Sequence, residues 1–195
     1  QGLSEIEAFG LVKAEIEKTA GRRVPLLADF VSGPTTAQIG GPPSDRLLGD
    51  GELLLTDLVP NLDGYWGDSC SITAVGKPPA KALDVWKHVK EALELAKASI
   101  KPGVPVTETD RIVREYMARR GLSFPHHTGH GLGLQWHEAP LISTNGTGVF
   151  EENMVVAVEP GAYLPDDGFG IRLEDVGRVT ANGFEQWTEY DMNLE

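Results

Sequence analysis

The strongest constraint on the fold is a pattern that the chain contains twice. Each copy has a helix-forming segment, a glycine-rich loop, a strand that ends in an acidic residue, a glycine turn and a second acidic residue. The acids are Asp57 and Asp68 in the first copy, and Glu159 and Glu174 in the second. This repeat predicts an internal duplication of two α+β halves, at about 1–79 and 80–195, whose acids meet across a pseudo-two-fold axis.

Hydrophobic spacing predicts three helices and four strands. The helices are expected at 4–19, 80–100 and 107–120, and the strands at 53–58, 71–75, 154–158 and 170–179. Ser4, with Glu7 three residues later, predicts a capped start for the first helix, and Thr107 before acidic residues predicts the start of the third. The apolar stripe expected on the second helix comprises Leu83, Trp86, Val89, Leu93 and Ala96.

Composition excludes several classes of partner. The 195 residues include 17 Lys and Arg against 29 Asp and Glu, so the formal net charge is −12 at pH 7. This acidity argues against nucleic acid and against an anionic membrane surface. No run approaches the ~18 apolar residues of a membrane span, and 1–10 lacks the layout of a signal peptide. A single cysteine, Cys70, cannot form an internal disulfide, so we expect a reducing, cytoplasmic location.

The repeated acids predict a metal site. His130 lies between the two acid pairs, in a Gly-His-Gly sequence. Acids that point inward from strands are costly unless cations neutralise them. Four carboxylates and one imidazole suit two divalent ions such as Mn²⁺, Co²⁺ or Zn²⁺. The alternative is that some of these acids are solvated residues of strand ends and turns.

Four stretches, read in order, resemble the motifs of one enzyme family. They are LLLTDLVPNLDGYWGDSCSITAVG, HHTGHGLGLQWHEAP, VVAVEPGAY and GIRLEDVGRVT. They are similar to those of the pita-bread metallopeptidases, a family that includes methionine aminopeptidase, Xaa-Pro aminopeptidase and Xaa-Pro dipeptidase. The resemblance implies a pita-bread fold, a curved antiparallel sheet around two metal ions. It also implies that the metal ligands are Asp57, Asp68, His130, Glu159 and Glu174.

The sequence around Glu174, Gly-Ile-Arg-Leu-Glu-Asp, resembles the proline-peptidase branch. The resemblance therefore implies a peptidase that hydrolyses the bond before proline in Xaa-Pro peptides through a metal-bridging hydroxide. It assigns His126 and His137 to substrate contact or to stabilisation of the intermediate, and Arg172 to the hydrogen bonds beside the metals. Glu159 is expected to carry the proton to the leaving nitrogen.

Three departures from the family pattern bear on activity. Gly40 stands where many relatives have a histidine, and Cys70 and Ser71 stand where a threonine and an arginine are usual. No Arg or Lys occurs between Glu138 and Glu159, where some dipeptidases bind the substrate carboxylate. This last departure weakens a strict dipeptidase specificity and leaves an aminopeptidase activity open.

The stretch PHHTGHGLGLQWHEAP, over 125–140, is called the histidine loop, and its other residues have simpler interpretations. His127 is expected to be a bystander, and Trp136 to be a core or rim residue or part of the pocket lining. Gly129, Gly131 and Gly133 lack the spacing of a dinucleotide loop and are expected to let the backbone approach the metal site.

Three functional hypotheses follow. The first is the dinuclear Xaa-Pro peptidase. The second is a pita-bread protein that binds peptides without turnover or with altered specificity, because of the changes at Gly40 and Cys70. The third is a metal-independent hydrolase on the same fold, like creatinase. Metal content separates the first from the third.

The first half has no counterpart of the helix over 80–100. We therefore expect a preceding helix of a longer polypeptide, without which the sheet face at Leu53, Leu55 and Thr56 would be exposed. The resemblance also implies a separate N-terminal domain and a homodimer.

Overall fold

The computed structural model describes residues 2–190 and 192–194, and its three helices lie where the hydrophobic spacing predicts them. They are α1 (Glu5–Ala20), α2 (Ala80–Ser99) and α3 (Val106–Ala118). Ser4 and Glu7 form the predicted capping box on α1, and Gly21 ends the helix at φ 67°. The predicted start of α3 at Thr107 is wrong by one residue: the helix begins at Val106, after Pro105, without a side-chain cap.

The packed face of α2 is rotated from the predicted stripe. Leu83 and Trp86 are only half-buried. The fully covered residues include several alanines, which allow neighbouring elements to approach the helix closely; they are Ala82, Val85, Val89, Ala92, Leu93 and Ala96. The amphipathic pattern is correct in period, and the neighbouring strands decide which residues lie at its centre.

Eleven strands are present in the described residues. They are β1 (Leu26–Ser32), β2 (Leu53–Leu62), β3 (Tyr65–Trp66), β4 (Cys70–Ala74), β5 (Gly129–Gly131), β6 (Glu138–Ile142), β7 (Val155–Val158), β8 (Gly161–Leu164), β9 (Phe169–Arg172), β10 (Asp175–Thr180) and β11 (Gly183–Gln186). The strand predicted over 170–179 is two strands, β9 and β10, separated at Leu173 and Glu174. This break lies at one of the predicted metal ligands.

The same order of elements occurs in both parts of the chain. In the first, α1 is followed by β1, β2 and β4, with β2 antiparallel to both of its neighbours. In the second, α3 is followed by β5, β7 and β10, with β7 antiparallel to both. The first acid of each pair lies on or just after the middle strand, and the second acid lies just before the last strand. The repeated topology thus directs both acid pairs toward the junction between the sheets.

The prediction of an exposed sheet face at Leu53 and Leu55 is wrong. Leu53 is 2% exposed and Leu55 is 0% exposed, and both belong to the main hydrophobic core with residues of α2 and β9. Thr56, on the opposite face of β2, is half-buried and its hydroxyl lies 3.0 Å from that of Ser71. The hydrophobic core between the two sheets therefore covers the apolar face that was expected to require a preceding helix.

Among the described residues, no helix combines the length and the apolar character that crossing a membrane would require.

Candidate metal centre

The five predicted ligands come from five places in the chain and line one cavity of about 350 Å³. Asp57 lies within β2, Asp68 precedes β4, His130 is the centre of β5, Glu159 follows β7, and Glu174 lies between β9 and β10. Asp57 was expected at a strand end, but β2 continues to Leu62. The volume is in the range of ligand-binding clefts.

Backbone hydrogen bonds fix the two glutamates. The N–H of Glu159 donates to the carbonyl of Thr128 at 2.8 Å, and the N–H of Glu174 donates to the carbonyl of Cys70 at 3.0 Å. The Tyr190 hydroxyl donates to the carbonyls of both Cys70 and Glu174. Each glutamate is therefore tied to a neighbouring strand at the point where its side chain enters the cavity.

Helix α3 anchors the histidine loop. The buried carboxylate of Asp110 accepts hydrogen bonds from Arg114 and from the hydroxyls of Thr128 and Thr144. Arg114 in turn donates to the carbonyl of His126 at 2.7 Å. These hydrogen bonds tie the loop to α3, which restricts the positions of the loop's histidine side chains.

The donor atoms of four predicted ligands belong to two groups that are compact enough to hold metal ions, and Asp57 is in neither group. One ligand atom from each of Asp68, His130 and Glu174 lies within 4.8 Å of the others. The Nε2 of His130 lies 3.7 Å from Asp68 Oδ2 and 3.5 Å from Glu159 Oε1. A second group with the same spread comprises His127, His130, His137 and Glu159.

The tautomer of His130 supports a cation at this place. Its Nδ1 lies 2.9 Å from the carbonyl oxygen of Gly131, so Nδ1 carries the proton and donates it. Burial lowers the pKa of His130, which keeps the ring neutral near pH 7. The Nε2 lone pair therefore faces carboxyl oxygens of Asp68 and Glu159, which is the arrangement of a metal ligand.

In the described part of the chain, two of the buried carboxylates each have one oxygen without a hydrogen-bond donor. Asp57 Oδ1 and Glu174 Oε1 are buried and have no hydrogen-bond partner among the described residues. Burial and the neighbouring carboxylates raise the pKa of Asp68 to about 9 and raise that of Glu174 well above its usual range. Divalent cations would supply the missing positive charge, so the residues present fit a two-metal site.

These shifts predict a pH-dependent stability for the metal-free protein. Between pH ~7 and about 9 the folded chain keeps a proton on Asp68 that the unfolded chain has lost, so the free energy of unfolding falls as the pH rises. The slope is about 1.4 kcal/mol per pH unit for each retained proton. The pKa values of His126 and His137 are lowered to about 4, so these rings stay neutral in the folded chain over this range.

Urea unfolding in a chelator at pH 7, 8 and 9 measures this slope. Asp68→Asn is the matched variant, in which the slope should be smaller by one proton. A flat profile of the metal-free wild type would contradict the assignment of raised carboxyl pKa values.

Arg172 supplies the cation that the structure does contain. It is 3% exposed, and its Nη2 donates to Asp57 at 2.5 Å and to Asp29 at 2.8 Å. Its Nη1 donates to the carbonyl of Ile39 and to the hydroxyl of Tyr163. The guanidinium thus joins the two sheets beside the cavity, which is the network position that the family resemblance implies for it.

Both nitrogens of His126 are engaged within the protein. Nδ1 lies 2.7 Å from the carbonyl oxygen of His127, so Nδ1 is the donor and Nε2 accepts from the Tyr163 hydroxyl at 2.8 Å. Burial lowers the pKa of His126 to about 4, so the ring is neutral near pH 7. His126 has no N–H left for a substrate, and its geometry is that of a residue that positions Tyr163.

His127 and His137 have different surroundings. His127 Nε2 lies 2.8 Å from Glu159 Oε1, so the residue expected to be a bystander contacts a predicted ligand. His137 is exposed, stacks at 3.8 Å between ring centres on His130, and makes no hydrogen bond to the described residues. Burial and the neighbouring histidines lower its pKa to about 4. A neutral His137 keeps one N–H free in the cavity, which Trp136 also lines.

Two departures from the family pattern have structural explanations. Cys70 is 0% exposed, belongs to the hydrophobic core, and its thiol donates to the carbonyl of Arg172. Burial raises its pKa well above the usual thiol range, so it packs as a small apolar residue. Ser71 contacts Thr56 through its hydroxyl. Neither side chain lines the cavity.

The glycines of the histidine loop serve the sheet. A Cβ at Gly129 would overlap the carbonyl oxygen of Ala157 on β7, and one at Gly131 would overlap that of Ala139 on β6. These glycines were expected to let the backbone approach the metal site, whereas at Gly129 and Gly131 the close neighbour is the backbone of an adjacent strand.

Known proteins resemble the chain over nearly its whole length. An uncharacterized peptidase of Staphylococcus saprophyticus is 35% identical over 193 residues, which cover 98% of this chain and 55% of that protein. Among solved structures, an X-Pro aminopeptidase from Thermotoga maritima MSB8 has a TM-score of 0.94 at 31% identity, covering 99% of this chain and 55% of that one. A Xaa-Pro dipeptidase from Bacillus anthracis has the same TM-score at 33% identity and the same coverage. The chain thus spans about half the length of these relatives.

The family model of metallopeptidase family M24 matches residues 1–181. This match includes all five predicted ligands and the strands that carry them. The chain therefore belongs to metallopeptidase family M24 and has the pita-bread fold of its structural neighbours.

Proposed function

We propose that the chain is the catalytic domain of a peptidase that uses two divalent metal ions to hydrolyse the bond before proline. The observation that carries this proposal is the convergence of buried, uncompensated donors in one cavity, with Asp57 Oδ1 and Glu174 Oε1 unpartnered and His130 Nε2 facing carboxylates. The family match and the named activities of the two structural neighbours support it.

The metal would be held by Asp57, Asp68, His130, Glu159 and Glu174. Four hard oxygen donors and one imidazole favour Mn²⁺, with Co²⁺ or Zn²⁺ as alternatives. When bound, the two ions lower the pKa of the attacking water and polarise the scissile carbonyl.

The contacts of Glu159 support a role in proton transfer. One of its oxygens accepts from His127 at 2.8 Å, and its carboxylate reaches the cavity between His130 and Arg172. We assign it the transfer of a proton from the attacking water to the leaving nitrogen. In this proposal the hydrogen bond from His127 orients the Glu159 carboxylate, and the positive charge of Arg172 attracts that carboxylate and holds it in the cavity.

His137 is placed to stabilise negative charge on the substrate oxygen. Its free N–H lies in the cavity, and its lowered pKa leaves a neutral donor at neutral pH. A donor aimed at a developing oxyanion is worth about 10²–10³ in kcat.

His137→Ala is therefore expected to lower kcat by about 10²–10³ while metal binding stays unchanged. Steady-state kinetics and metal content of the purified variant measure the two effects. His88→Ala, on α2 and outside the cavity, is the matched control. An unchanged kcat would reduce His137 to a loop residue.

The proposed substrates are Xaa-Pro peptides of three or more residues in preference to dipeptides. Among the described residues that line the cavity, Arg172 is the one Lys or Arg side chain, and it is committed to Asp57, Asp29 and Tyr163. Within the described part of the chain, no second Lys or Arg side chain lines the cavity to bind the carboxylate of a dipeptide, so a longer peptide, whose carboxylate lies outside the cavity, fits better.

The decisive experiment combines metal analysis with a substrate panel. About two divalent ions per chain and turnover of Xaa-Pro peptides, tested with Mn²⁺, Co²⁺ and Zn²⁺, support the proposal. Turnover without metal would favour a creatinase-like hydrolase. Peptide binding without turnover would favour the second hypothesis, a binding protein.

A further inference from the structure

Asp29 is an acidic residue of the cavity that the sequence pattern did not single out. It lies on β1 directly opposite Asp57 on β2, so the two side chains project from the same face of the sheet. Its side chain is 35% exposed and lines the cavity. Like charges directly opposite each other destabilise a strand pair, so another interaction must compensate the repulsion between Asp29 and Asp57.

Gly40 gives the Asp29 carboxylate its space. A Cβ at Gly40 would overlap the Oδ2 and Cγ of Asp29. Any other residue at position 40 would displace this carboxylate from the cavity wall. The absence of a side chain at Gly40 and the presence of one at Asp29 are therefore two parts of one arrangement.

The charge of Asp29 is only partly compensated. Arg172 Nη2 donates to both Asp29 Oδ2 and Asp57 Oδ2, so one positive charge is shared by two carboxylates. The other oxygen of Asp29, Oδ1, makes no hydrogen bond to the described residues, and the half-buried side chain leaves it accessible from the cavity.

The charge balance of the loaded site leaves room for a positive charge on the substrate. Two divalent ions balance Asp57, Asp68, Glu159 and Glu174, and Arg172 balances Asp29. The oxygen nucleophile that peptide hydrolysis needs brings one more negative charge. A substrate that adds a positive charge near Asp29 restores neutrality at a carboxylate that water only partly screens.

The wall next to Asp29 is apolar. Leu27 precedes Asp29 by two residues on the same face of β1, and it pairs with Val59 on β2. Ile39 lines the same cavity, as do Leu27 and Val59. An aliphatic stem that ends in a cation matches this combination of apolar wall and carboxylate.

We propose that Asp29 determines substrate specificity by binding the positively charged side chain of the residue before proline, so that peptides beginning Lys-Pro or Arg-Pro are preferred. The proposal deepens the proposed function and rests on it. Leu27, Val59 and Ile39 cover the stem of the side chain, and Asp29 Oδ1 accepts from its ammonium or guanidinium group.

The test compares Lys-Pro-Ala with norleucyl-Pro-Ala, which has a similar stem but no charge. The wild type should show a ratio of kcat/KM values of about 10 or more in favour of Lys-Pro-Ala, the factor that corresponds to one partly desolvated ion pair. Asp29→Asn should lower this ratio to near 1. Asp167→Asn removes an acid of similar exposure that pairs with Lys81 outside the cavity, and should leave the ratio unchanged.

A positioning role for Asp29, acting only through Arg172, gives a different result. It would lower kcat/KM for both peptides together and leave their ratio at the wild-type value, which would overturn the proposal. A wild-type ratio near 1 would overturn it as well.

Calorimetry separates this proposal from the proposed function. Titration of metal-free wild type and Asp29→Asn with both peptides measures binding without hydrolysis. A charge preference in binding that Asp29→Asn abolishes supports the specificity role even if neither peptide is cleaved. Equal binding of both peptides to the wild type counts against it.

Discussion

Glu174→Ala is expected to abolish metal binding and peptidase activity together. Glu174 is 1% exposed, lies at the break between β9 and β10, and shares its donor cluster with Asp68 and His130. Without it the site loses a charge that would neutralise the cations. Loss of a single oxyanion donor costs about 10²–10³ in kcat, so loss of the metal should lower kcat/KM by more than about 10³.

Two measurements test whether Glu174→Ala has lost metal binding. Calorimetric titration with Mn²⁺ should show heat for the wild type and none for the variant, and Mn²⁺ should raise the Tm of the wild type alone. Glu185→Ala, an exposed acid on β11 that pairs with Arg178, should behave like the wild type in both. Full metal occupancy in Glu174→Ala would show that the ligand assignment is wrong.

Arg172→Met should have the largest effect on the stability of the metal-free protein. The variant keeps a side chain of similar length but leaves the carboxylates of Asp29 and Asp57 without their shared cation. Removing one partner of a buried ion pair costs about 3–5 kcal/mol. The free energy of unfolding, measured with urea in a chelator at pH 7, should fall by this amount.

Saturating Mn²⁺ should recover part of that loss, because the cations compensate Asp57 directly. Arg178→Met is the matched control, since Arg178 pairs with Glu185 on an exposed surface of the sheet. Its effect should stay within about 1 kcal/mol. Equal losses in the two variants would mean that Arg172 acts as an ordinary surface cation.

Local patterns predicted the helices well and the strands unevenly. The predictions for β4 and β7 were correct to within one residue, whereas β1, with seven residues, was not predicted. Helices α1, α2 and α3 extend over 13 to 20 residues each, long enough for a 3.6-residue period to be distinct. Strands β5, β6, β8 and β11 have three to five residues, too few for alternation to be distinguished from chance. The exposed face expected at Leu53 and Leu55 was wrong because the opposite part of the chain covers it, which no local pattern reveals.

The candidate ligands could be chosen from the sequence because the acids occupy corresponding places in a repeated pattern. Asp29 had no such signal, since it is a lone acid in an apolar strand. The available clue was the combination of an inward acid in Leu-Leu-Ala-Asp-Phe with the missing side chain at Gly40, and its meaning depends on their contact. His127 was similarly judged from its neighbour His126, whereas its partner Glu159 lies 32 residues away.

The sequence by itself determined the helices, the family and the five candidate ligands, because these depend on residue types and on spacing along the chain. Only the tertiary structure decided how the acids are compensated. Arg172 reaches Asp57 across 115 residues and Asp29 across 143, and these contacts exist only once the two sheets pack together. Burial then sets which carboxylates lack a cation, because the cost of an uncompensated charge depends on its exclusion from water.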